Sequence, residues 1–438
     1  MRTFRRAALL ACTAVTIMGA APARAADVTV EYWMWDGNQA PIYRQCADRF
    51  EADNPGIKIH ITQDSWDNYW TTLNTAFVAG TAPDVFVNHI TRFPEFLAND
   101  ILADLTPRIA ADTYDMGSYL PGLAENWNKD AHQWGLPKNW DTVALVYNKA
   151  MLADAGVTED EMRDLDWNPE NGGSFGKVVA RLTVDRNGKH GLDPGFDKSK
   201  VAVYGWATDP VDGYGQNQWS FLAASAGFKY ISQRWGTTYE YDSPALVKTL
   251  TWLHDLASKQ GYAIGQENLG NLKAVALFSA GKVALVPDGS WMIAAYRDNA
   301  KADFGFAPVP KGPDGRRSMF NGLADSIWSG SKHKDEAWKW VKYLGGSACQ
   351  TLVGASGVVF PARPEADRTA EAAYRAKGLN VSAFTMVATP ATTFPFPITD
   401  HSSEISAILK TAVENVMLGQ GKPAQILKNA NDQVDGMF

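Results

Sequence analysis

The sequence predicts an α/β protein of two lobes, each with a mainly parallel sheet flanked by helices. Near the amino end, three β-rich stretches alternate with two helical ones, and crossovers of that length join parallel strands. The 438 residues suffice for two domains of ordinary size. A stretch rich in Asn, Gly, Pro and Asp at 164–196 precedes further strand and helix patterns, which we assign to the second lobe.

The first lobe opens with a predicted strand at 28–35 and a helix whose apolar residues recur every four positions from Ile42 to Phe50. Alternating isoleucines predict a strand at 57–61, and a second helical stripe ends at Gly80, before a strand at 84–87. In open α/β sheets, ligands bind beyond the carboxyl ends of the strands. The first candidate site residues lie at those ends: Trp35, Asp36, Ser65, Trp66, Asn88 and His89.

The second lobe begins with the crossing that follows the first-lobe strands and resumes regular structure with a strand at 201–207. A helix starts at Ser243-Pro244 and ends near Gly261, and a further helix spans 337–344. The sequence contains no internal repeat and no low-complexity tract, so the lobes are not copies of one unit.

The first 25 residues have the features of a cleavable secretory signal. They combine a basic start, an apolar stretch at 7–21 and a small-residue end at Ala25. The apolar stretch is too short to span a bilayer. Too few apolar residues precede Cys12 for a lipoprotein signal, whereas the pair Arg5-Arg6 leaves a twin-arginine route open. We therefore predict a periplasmic protein, secreted with a cleavable signal peptide.

The net charge limits the classes of possible binding partner, and the cysteine content limits the number of disulfides. Removal of the signal takes away four arginines and no carboxylate, so the formal net charge changes from −7 to −11. An acidic surface argues against nucleic acid or anionic lipid as a partner. Of the three cysteines, Cys46 and Cys349 remain in an oxidising compartment. The sequence leaves open whether these two form a disulfide.

Five motifs occur in order along the mature chain: AFVAGTAPDV at 76–85, PKNWDT with LVYNK at 137–149, FSAGKVAL with GSW at 278–291, FAPVPKG at 306–312, and GVVFPAR at 357–363. Together they resemble the sugar-binding proteins of ABC importers, the family that includes the maltodextrin-binding proteins. Each motif is only moderately specific, and their shared order and spacing carry the resemblance.

The resemblance implies a type II-like periplasmic-binding-protein fold with the ligand cleft between the lobes. It implies a first lobe of 26–141 plus 323–358 and a second of 142–322 plus 359–438, with Asp141, Gly322 and Phe360 near the hinge. It also implies ABC permease membrane subunits and an ATPase as partners. We expect a monomer.

Tryptophan beside carboxylate is the pattern expected of a sugar cleft, because sugars present C–H faces to aromatic rings and hydroxyls to polar groups. The chain has 16 tryptophans. Those at strand ends or crossings join the candidates: Trp140 with Asp141, and Trp291 shortly after Asp288. The resembling proteins place a sugar-stacking aromatic at the position of Trp291. Four tryptophans on helical stripes are expected in the core instead: Trp70, Trp252, Trp338 and Trp340.

Several candidates have an equally plain structural interpretation. Asp36, Asp141 and Asp288 each precede a predicted element, and a helix cap explains them as well as a ligand does. His89 is interpreted as a hydroxyl partner or as a packed imidazole. Arg363 is a forked donor to the ligand or an ion-pair partner near the hinge.

Two further segments stay open in the same way. Asn321-Gly322 precedes the predicted return crossing, where a glycine lets a ligand approach backbone amides, or it is an ordinary turn. Phe394 and Phe396, set among prolines, form an aromatic wall or a buried loop.

The sequence offers little support for an enzyme. It lacks zinc-protease, nucleophile-elbow and phosphate-loop motifs, and its Ser-x-x-Lys pairs at Ser279 and Ser329 lack the other motifs of an acyl-transfer site. We expect neither a cofactor nor a metal, although Asp185, Asn187 and Asp193 give a weak likeness to a calcium loop. The predicted function is binding of a small neutral sugar by lobe closure. The alternatives are a polyol, a sugar phosphate, or a secreted glycosidase.

Overall fold

Sixteen strands lie in the part of the chain that the structure, a computed structural model, describes, namely residues 27–270 and 272–438. The predicted signal peptide at 1–25 lies outside the described residues. In chain order the strands are β1 (Val28–Met34), β2 (Ile57–Gln63), β3 (Val85–His89), β4 (Asn128–Lys129), β5 (His132–Gln133), β6 (Leu136–Asp141), β7 (Val143–Asn148), β8 (Val184–Asp185), β9 (Val201–Trp206), β10 (Val283–Gly289), β11 (Phe304–Pro308), β12 (Lys311–Gly312), β13 (Gly315–Arg316), β14 (Ser318–Ile327), β15 (Phe360–Pro361) and β16 (Thr393–Pro395).

The helices of the same residues cover both faces of the sheets. They are α1 (Ala40–Asp53), α2 (Trp66–Ala79), α3 (Phe93–Ala98), α4 (Thr106–Ala111), α5 (Lys149–Asp154), α6 (Glu159–Arg163), α7 (Gly173–Leu182), α8 (Ser220–Ser225), α9 (Pro244–Ser258), α10 (Gln266–Leu269), α11 (Ala274–Ser279), α12 (Ile293–Asn299), α13 (Lys334–Leu344), α14 (Ser347–Ser356), α15 (Pro364–Ala376), α16 (Ser382–Thr385), α17 (Ser402–Met417) and α18 (Pro423–Asp435). Each helix in these ranges is too short or too polar to cross a membrane.

Two sheets organise the chain, which confirms the two-lobe α/β fold. The first has the order β15-β6-β14-β3-β1-β2, with β16 beside β14, and the second has the order β11-β7-β10-β9-β8. In the first sheet β1 pairs in parallel with β2 and β3, as the helical crossovers predict. In the second sheet only β9 and β10 are parallel. The sheets are therefore more mixed than expected, because β7 and β14 continue from crossings between lobes and not from helical crossovers.

The chain crosses between the sheets at three places. Thr142 alone separates β6 of the first sheet from β7 of the second. The return precedes Ser318, where β14 begins. β14 pairs with β16 over its first three residues and with β3 and β6 from Asn321 to Ile327. The third crossing follows α15, which packs on α14, and precedes α16, which packs on β7 and β11.

These placements differ from the expected boundaries after 322 and 358. Residues 318–322 belong to the same strand as the rest of β14, and Phe360-Pro361 pairs with β6 as an edge strand of the first sheet. We therefore propose a first lobe of 27–141 plus 318–376, with the remaining described residues in the second.

The first-lobe core packs on the β1 sheet through α1, α13 and α14. Trp338 and Trp340 on α13 are buried there, and Trp70 and Trp252 are buried elsewhere, as their helical spacing predicts. Cys46 on α1 and Cys349 on α14 form a disulfide, with their Cα atoms 5.3 Å apart.

Candidate functional site

An aromatic surface lies at the carboxyl ends of β1 and β3, formed by Trp35, Trp66, Trp70 and His89. We call it the first-lobe wall. The ring of Trp35 lies 5.0 Å from that of Trp66 and 5.3 Å from that of Trp70, and Trp66 lies 5.4 Å from His89. Strand β1 ends just before Trp35, and α2 begins at Trp66, so Trp70 follows one helical turn later on the same face. Trp66 is 43% exposed and Trp35 is half-buried, whereas Trp70 and His89 are buried, so the accessible part of the wall is its Trp35–Trp66 edge.

The wall carries polar atoms that lack partners among the described residues. The Asn321 amide nitrogen donates to Nε2 of His89 over 3.2 Å, whereas its buried Oδ1 has no partner. Nε1 of Trp70 is likewise buried and unpaired within the described chain. Burial, and secondarily the charge of Arg92, lowers the pKa of His89 to about 3, so its imidazole is neutral at physiological pH. Such a surface offers stacking faces and neutral hydrogen-bonding groups.

The neighbouring candidates are engaged in local structure. The Asp36 carboxylate accepts from the Asn38 amide over 2.8 Å and from Nε2 of Gln39 over 2.6 Å, and so stabilises the turn before α1. Ser65 is exposed, and its amide donates to Oδ1 of Asp64 over 2.7 Å. Asn88 donates to Oγ of Ser326 over 3.3 Å. Successive strand residues face opposite ways, which separates Asn88 from His89.

Asp141 lies between the lobes at the first crossing. It is 3% exposed, and Oγ of Ser290, from the second lobe, donates to its Oδ1 over 3.1 Å. The Ser290 amide also donates to the carbonyl oxygen of Thr142. Burial raises the pKa of Asp141 to about 7, and the charge of Asp36 raises it further, against the Ser290 hydrogen bond. Ser290 is a residue that the sequence reasoning passed over, although it stands between Asp288 and Trp291.

The structure does not bring Trp140, Gly322 or Arg363 to the first-lobe wall. The Trp140 ring stacks on Phe360 at 4.7 Å, and its Nε1 donates to Oδ1 of Asp367 over 3.2 Å. Gly322 pairs with Trp140 in the sheet, where an added Cβ would lie 3.2 Å from Leu123.

Arg363 is occupied within the first lobe. Its Nε donates to the carbonyl oxygen of Gly345 over 2.6 Å, and its Nη2 donates to the Tyr114 hydroxyl over 3.3 Å. Its guanidinium also lies over the Tyr119 ring, 5.2 Å from the centroid. In this arrangement Arg363 connects the end of α13, the start of α15 and the segment that follows α4.

On the second lobe, Asp288 is the next-to-last residue of β10, and Trp291 lies two positions after the strand ends at Gly289. The Asp288 carboxylate accepts from the Gly289 amide over 2.8 Å, from Nδ2 of Asn217 over 3.1 Å and from the Tyr296 hydroxyl over 2.8 Å. Burial, followed by the charge of Asp209, raises its pKa to about 7. The half-buried indole of Trp291 lies over Gly289, where an added Cβ would come within 2.0 Å of the ring.

A second-lobe aromatic group reaches the first-lobe wall. The Phe396 ring lies 5.9 Å from that of His89, and the Tyr214 ring lies 5.9 Å from that of Phe396. The hydroxyl of Tyr214 donates to the carbonyl oxygen of Ser402 over 2.7 Å. Tyr214 and Asn217 belong to the segment 207–219 after β9, which the sequence reasoning missed. That segment follows a parallel strand, and the same carboxyl-end rule that found Trp35 would have found it.

Two other features fall outside this site. A solvent-open cavity of about 480 Å³ lies at the third crossing, lined by the end of α15 and by α16, and none of the tryptophans lines it. The Asp185 carboxylate accepts three backbone amides, from Asn187, Lys189 and Asp197, so it closes a turn of the chain. No group of metal-ligating side chains was found in residues 27–270 and 272–438.

Known proteins resemble this chain over nearly its full length. A putative binding protein of Brucella abortus is 23% identical over 99% of this chain and 98% of its own length. The maltotriose-binding protein of Pyrococcus abyssi is 23% identical over 70% of this chain and 60% of its own. Both are named as binding proteins and not as enzymes.

Solved structures share the fold. UspC of M. tuberculosis is 25% identical, with a TM-score of 0.74 over 94% of this chain and all of its own. An ABC substrate-binding protein of Listeria monocytogenes, in complex with cycloalternan, is 21% identical, with a TM-score of 0.79 over 94% of this chain and 99% of its own. The family model for bacterial extracellular solute-binding proteins matches residues 36–350. This match over most of the chain, together with the two-lobe fold, places the chain in the bacterial extracellular solute-binding protein family.

Proposed function

We propose that this protein binds a small neutral carbohydrate, a mono- or oligosaccharide, between its lobes and delivers it to the permease of an ABC importer. The observation that carries the proposal is the first-lobe wall, with its edge-packed tryptophans, neutral His89 and unpaired Asn321 oxygen. A pyranose matches this surface because its C–H faces pack on indoles while its hydroxyls donate to and accept from amides.

The electrostatics of the wall favour a neutral ligand over a phosphorylated one. Arg92 lies over the Trp70 ring, 5.5 Å from the centroid, and its Nη1 lies 3.7 Å from the Glu95 carboxylate. That guanidinium is therefore partly compensated. A phosphate would need several free cationic or amide donors. The names of relatives that bind maltotriose and multiple sugars agree with a sugar.

Closure follows from the position of Trp291 on the opposite lobe. Among the described aromatic pairs, Phe396 contacts the wall, whereas none joins Trp291 to it. A sugar that touches both would draw the lobes together, which is a population shift toward the state that the ligand prefers. The closed form is then what the permease recognises. We place this cycle in the periplasm and assign the protein as a monomer without catalytic activity.

The first experiment is a thermal-shift screen of residues 26–438 against monosaccharides, oligosaccharides, polyols and sugar phosphates. A native-state ligand raises the unfolding midpoint by mass action, and we expect one neutral sugar to do so without being consumed. A shift with sugar phosphates alone would overturn the neutral-sugar proposal. Release of hydrolysis products from the bound sugar would support a glycosidase in its place.

A mutant pair then tests the wall itself. Trp66→Ala should weaken the sugar found in the screen about tenfold, near 1.4 kcal/mol, because the exposed indole loses its stacking partner. Val78→Ala is the matched control, since Val78 is an exposed residue on the same helix, α2. Equal affinities for both variants in calorimetry would exclude Trp66 from the site.

A further inference from the structure

A buried hydrogen-bonded chain lies beneath Trp291 and connects four elements of the second lobe. It consists of Tyr296, Asp288, Asn217 and Asp209, and we call it the carboxylate–amide chain. The Tyr296 hydroxyl donates to Oδ2 of Asp288, and Nδ2 of Asn217 donates both to Oδ1 of Asp288 over 3.1 Å and to Oδ2 of Asp209 over 3.3 Å. The Asn217 amide group has two N–H donors, and each carboxylate takes one.

Asn217 separates two acidic groups that would otherwise repel each other. Asn217 is 6% exposed and Asp288 is 2% exposed, whereas Asp209 is half-buried. Unpaired carboxylates in low-dielectric surroundings are costly. The Asn217 bridge therefore does more than give each carboxylate a hydrogen bond. It also fixes the position of the Asp288 carboxylate relative to that of Asp209.

The carboxylate–amide chain joins segments that are far apart in sequence. Asp209 follows β9 and accepts the Ala274 amide at the start of α11 over 2.8 Å. Asp288 is the next-to-last residue of β10, and Tyr296 lies on α12. Displacement of Asn217 would consequently remove the side-chain link between Asp288 and the segment 207–219, although the Ala207 amide still donates to the carbonyl oxygen of Leu285.

The Asp288 end of the carboxylate–amide chain lies next to Trp291, the residue that we propose faces the cleft. The Asp288 carboxylate accepts the Gly289 amide over 2.8 Å, and the Trp291 indole lies directly over Gly289. Ser290, between these two, donates to Asp141 across the lobes. The orientation of the Asp288 carboxylate thus determines the turn from which Trp291 projects.

We propose that Asn217 is a positioning residue for ligand binding, which holds Trp291 in its cleft-facing orientation by bridging Asp209 and Asp288. The inference rests on the proposed function, because it takes Trp291 as a ligand contact. Nothing in the motif at 278–291 points to Asn217, which lies 71 residues before Asp288. The effect of Asn217 passes entirely through the 288–291 turn.

The test begins without ligand, so that it stands even if no sugar binds. The protein is labelled with 5-fluorotryptophan, and the Trp291 ¹⁹F resonance is assigned with Trp291→Phe. Asn217→Ala should shift or broaden that resonance. Asn299→Ala is the control, because Asn299 is exposed at the end of α12 and bonds only to its own helix. An unchanged Trp291 resonance in folded Asn217→Ala would overturn the inference.

A milder variant covers the case in which Asn217→Ala does not fold. Tyr296→Phe removes one donor at the other side of Asp288 and keeps the ring packing. Tyr296→Phe should shift the Trp291 resonance by a smaller amount. An unchanged resonance would contradict the proposal that the carboxylate–amide chain positions Trp291. A resonance shift in either variant is interpreted only if that variant shows a cooperative unfolding transition, which verifies that it is folded.

A double-mutant cycle then separates positioning from general stability. With the sugar found in the screen, Asn217→Ala should weaken binding about tenfold in the wild-type background and have no effect in a Trp291→Ala background. The same loss in both backgrounds would show a structural role unrelated to Trp291. Failure of every sugar to bind would refute the proposed function. The ¹⁹F measurement would then still test whether Asn217 positions Trp291, because it needs no ligand.

Discussion

The two surfaces that face the cleft are built on opposite principles. The first-lobe wall consists of aromatic rings in edge contact, with an amide oxygen of Asn321 and an indole nitrogen of Trp70 left unpaired within the described chain. On the second lobe, Asp288 receives three donors from protein alone. Unpaired buried groups also occur in the core, as at Trp127, Trp167 and Trp340, so an unpaired atom alone does not identify a ligand surface. The Asn321 oxygen and the Trp70 nitrogen differ from these because they lie beside the exposed indole of Trp66, where we propose that the sugar binds.

The same contrast separates two aspartates that resemble each other in the sequence. Asp141 is the last residue of β6 and Asp288 the next-to-last residue of β10, both are buried, and burial raises both pKa values to about 7. Asp141 has one protein donor, Ser290, from the other lobe. Asp141 is therefore sensitive to lobe position, whereas Asp288 is part of the second-lobe scaffold.

Asp288→Asn should have the largest effect of the changes that test this contrast. The amide replaces one acceptor oxygen with a donor that faces other donors, so it leaves buried groups unpaired. We expect a loss of about 3 kcal/mol in the free energy of unfolding, measured by urea denaturation. A variant as stable as the wild type would remove the distinction between scaffold and ligand surface.

Trp291→Ala should come next, with an effect on binding and little on folding. The half-buried indole is the contact that the second lobe presents, and its removal should weaken sugar binding by more than tenfold. Calorimetry measures the affinity, and circular dichroism verifies the fold. Unchanged affinity would take Trp291 out of the site.

Asp141→Asn should change how stability depends on pH. A carboxyl whose folded pKa is about 7, above its ordinary value of 3.8, binds more protons in the folded state between those pH values. Its contribution to stability is therefore present below pH 4 and is lost as the pH rises toward 7. The variant should lose less stability than the wild type between pH 5 and pH 8. Parallel pH profiles would contradict the raised pKa.

Ser290→Ala should have the smallest effect. It removes one hydrogen bond between the lobes, worth about 1 kcal/mol, and leaves both surfaces intact. We expect a few-fold change in sugar affinity. Small-angle scattering should still show compaction at saturating sugar, and an unchanged radius of gyration in both proteins would reject closure as the signal.

The sequence placed Trp35, Trp66 and His89 at strand ends, and the structure brings these three side chains together because the strands are neighbours in one sheet. Trp35 and Trp66 follow strands that pair in parallel through short crossovers, and parallel strands bring their carboxyl ends together. The partnership of His89 with Asn321 was beyond that reasoning. It depends on the antiparallel pairing of β3 and β14, more than 200 residues apart in sequence.

The misplaced candidates have a different cause. Trp140 and Arg363 lie in the expected motifs, yet the packing partners Phe360, Tyr114 and Tyr119 determine which way their side chains face. The carboxyl-end rule indicates the segment 207–219 but does not single out Asn217 within it, because the role of Asn217 depends on contact with Asp288, 71 positions away in sequence. Local patterns predict strand ends, and nonlocal packing selects which of their side chains reach the cleft.

The disulfide has a topological consequence. Cys46 and Cys349 are separated by 303 positions, so their bond closes a covalent ring that contains the whole stretch from β7 to β13. Most of the second lobe is thus an insertion within this covalent ring, and the disulfide that closes the ring lies in the first lobe. A single proteolytic cut anywhere in that ring leaves one molecule, and its two pieces part only when the disulfide is reduced and the protein unfolds.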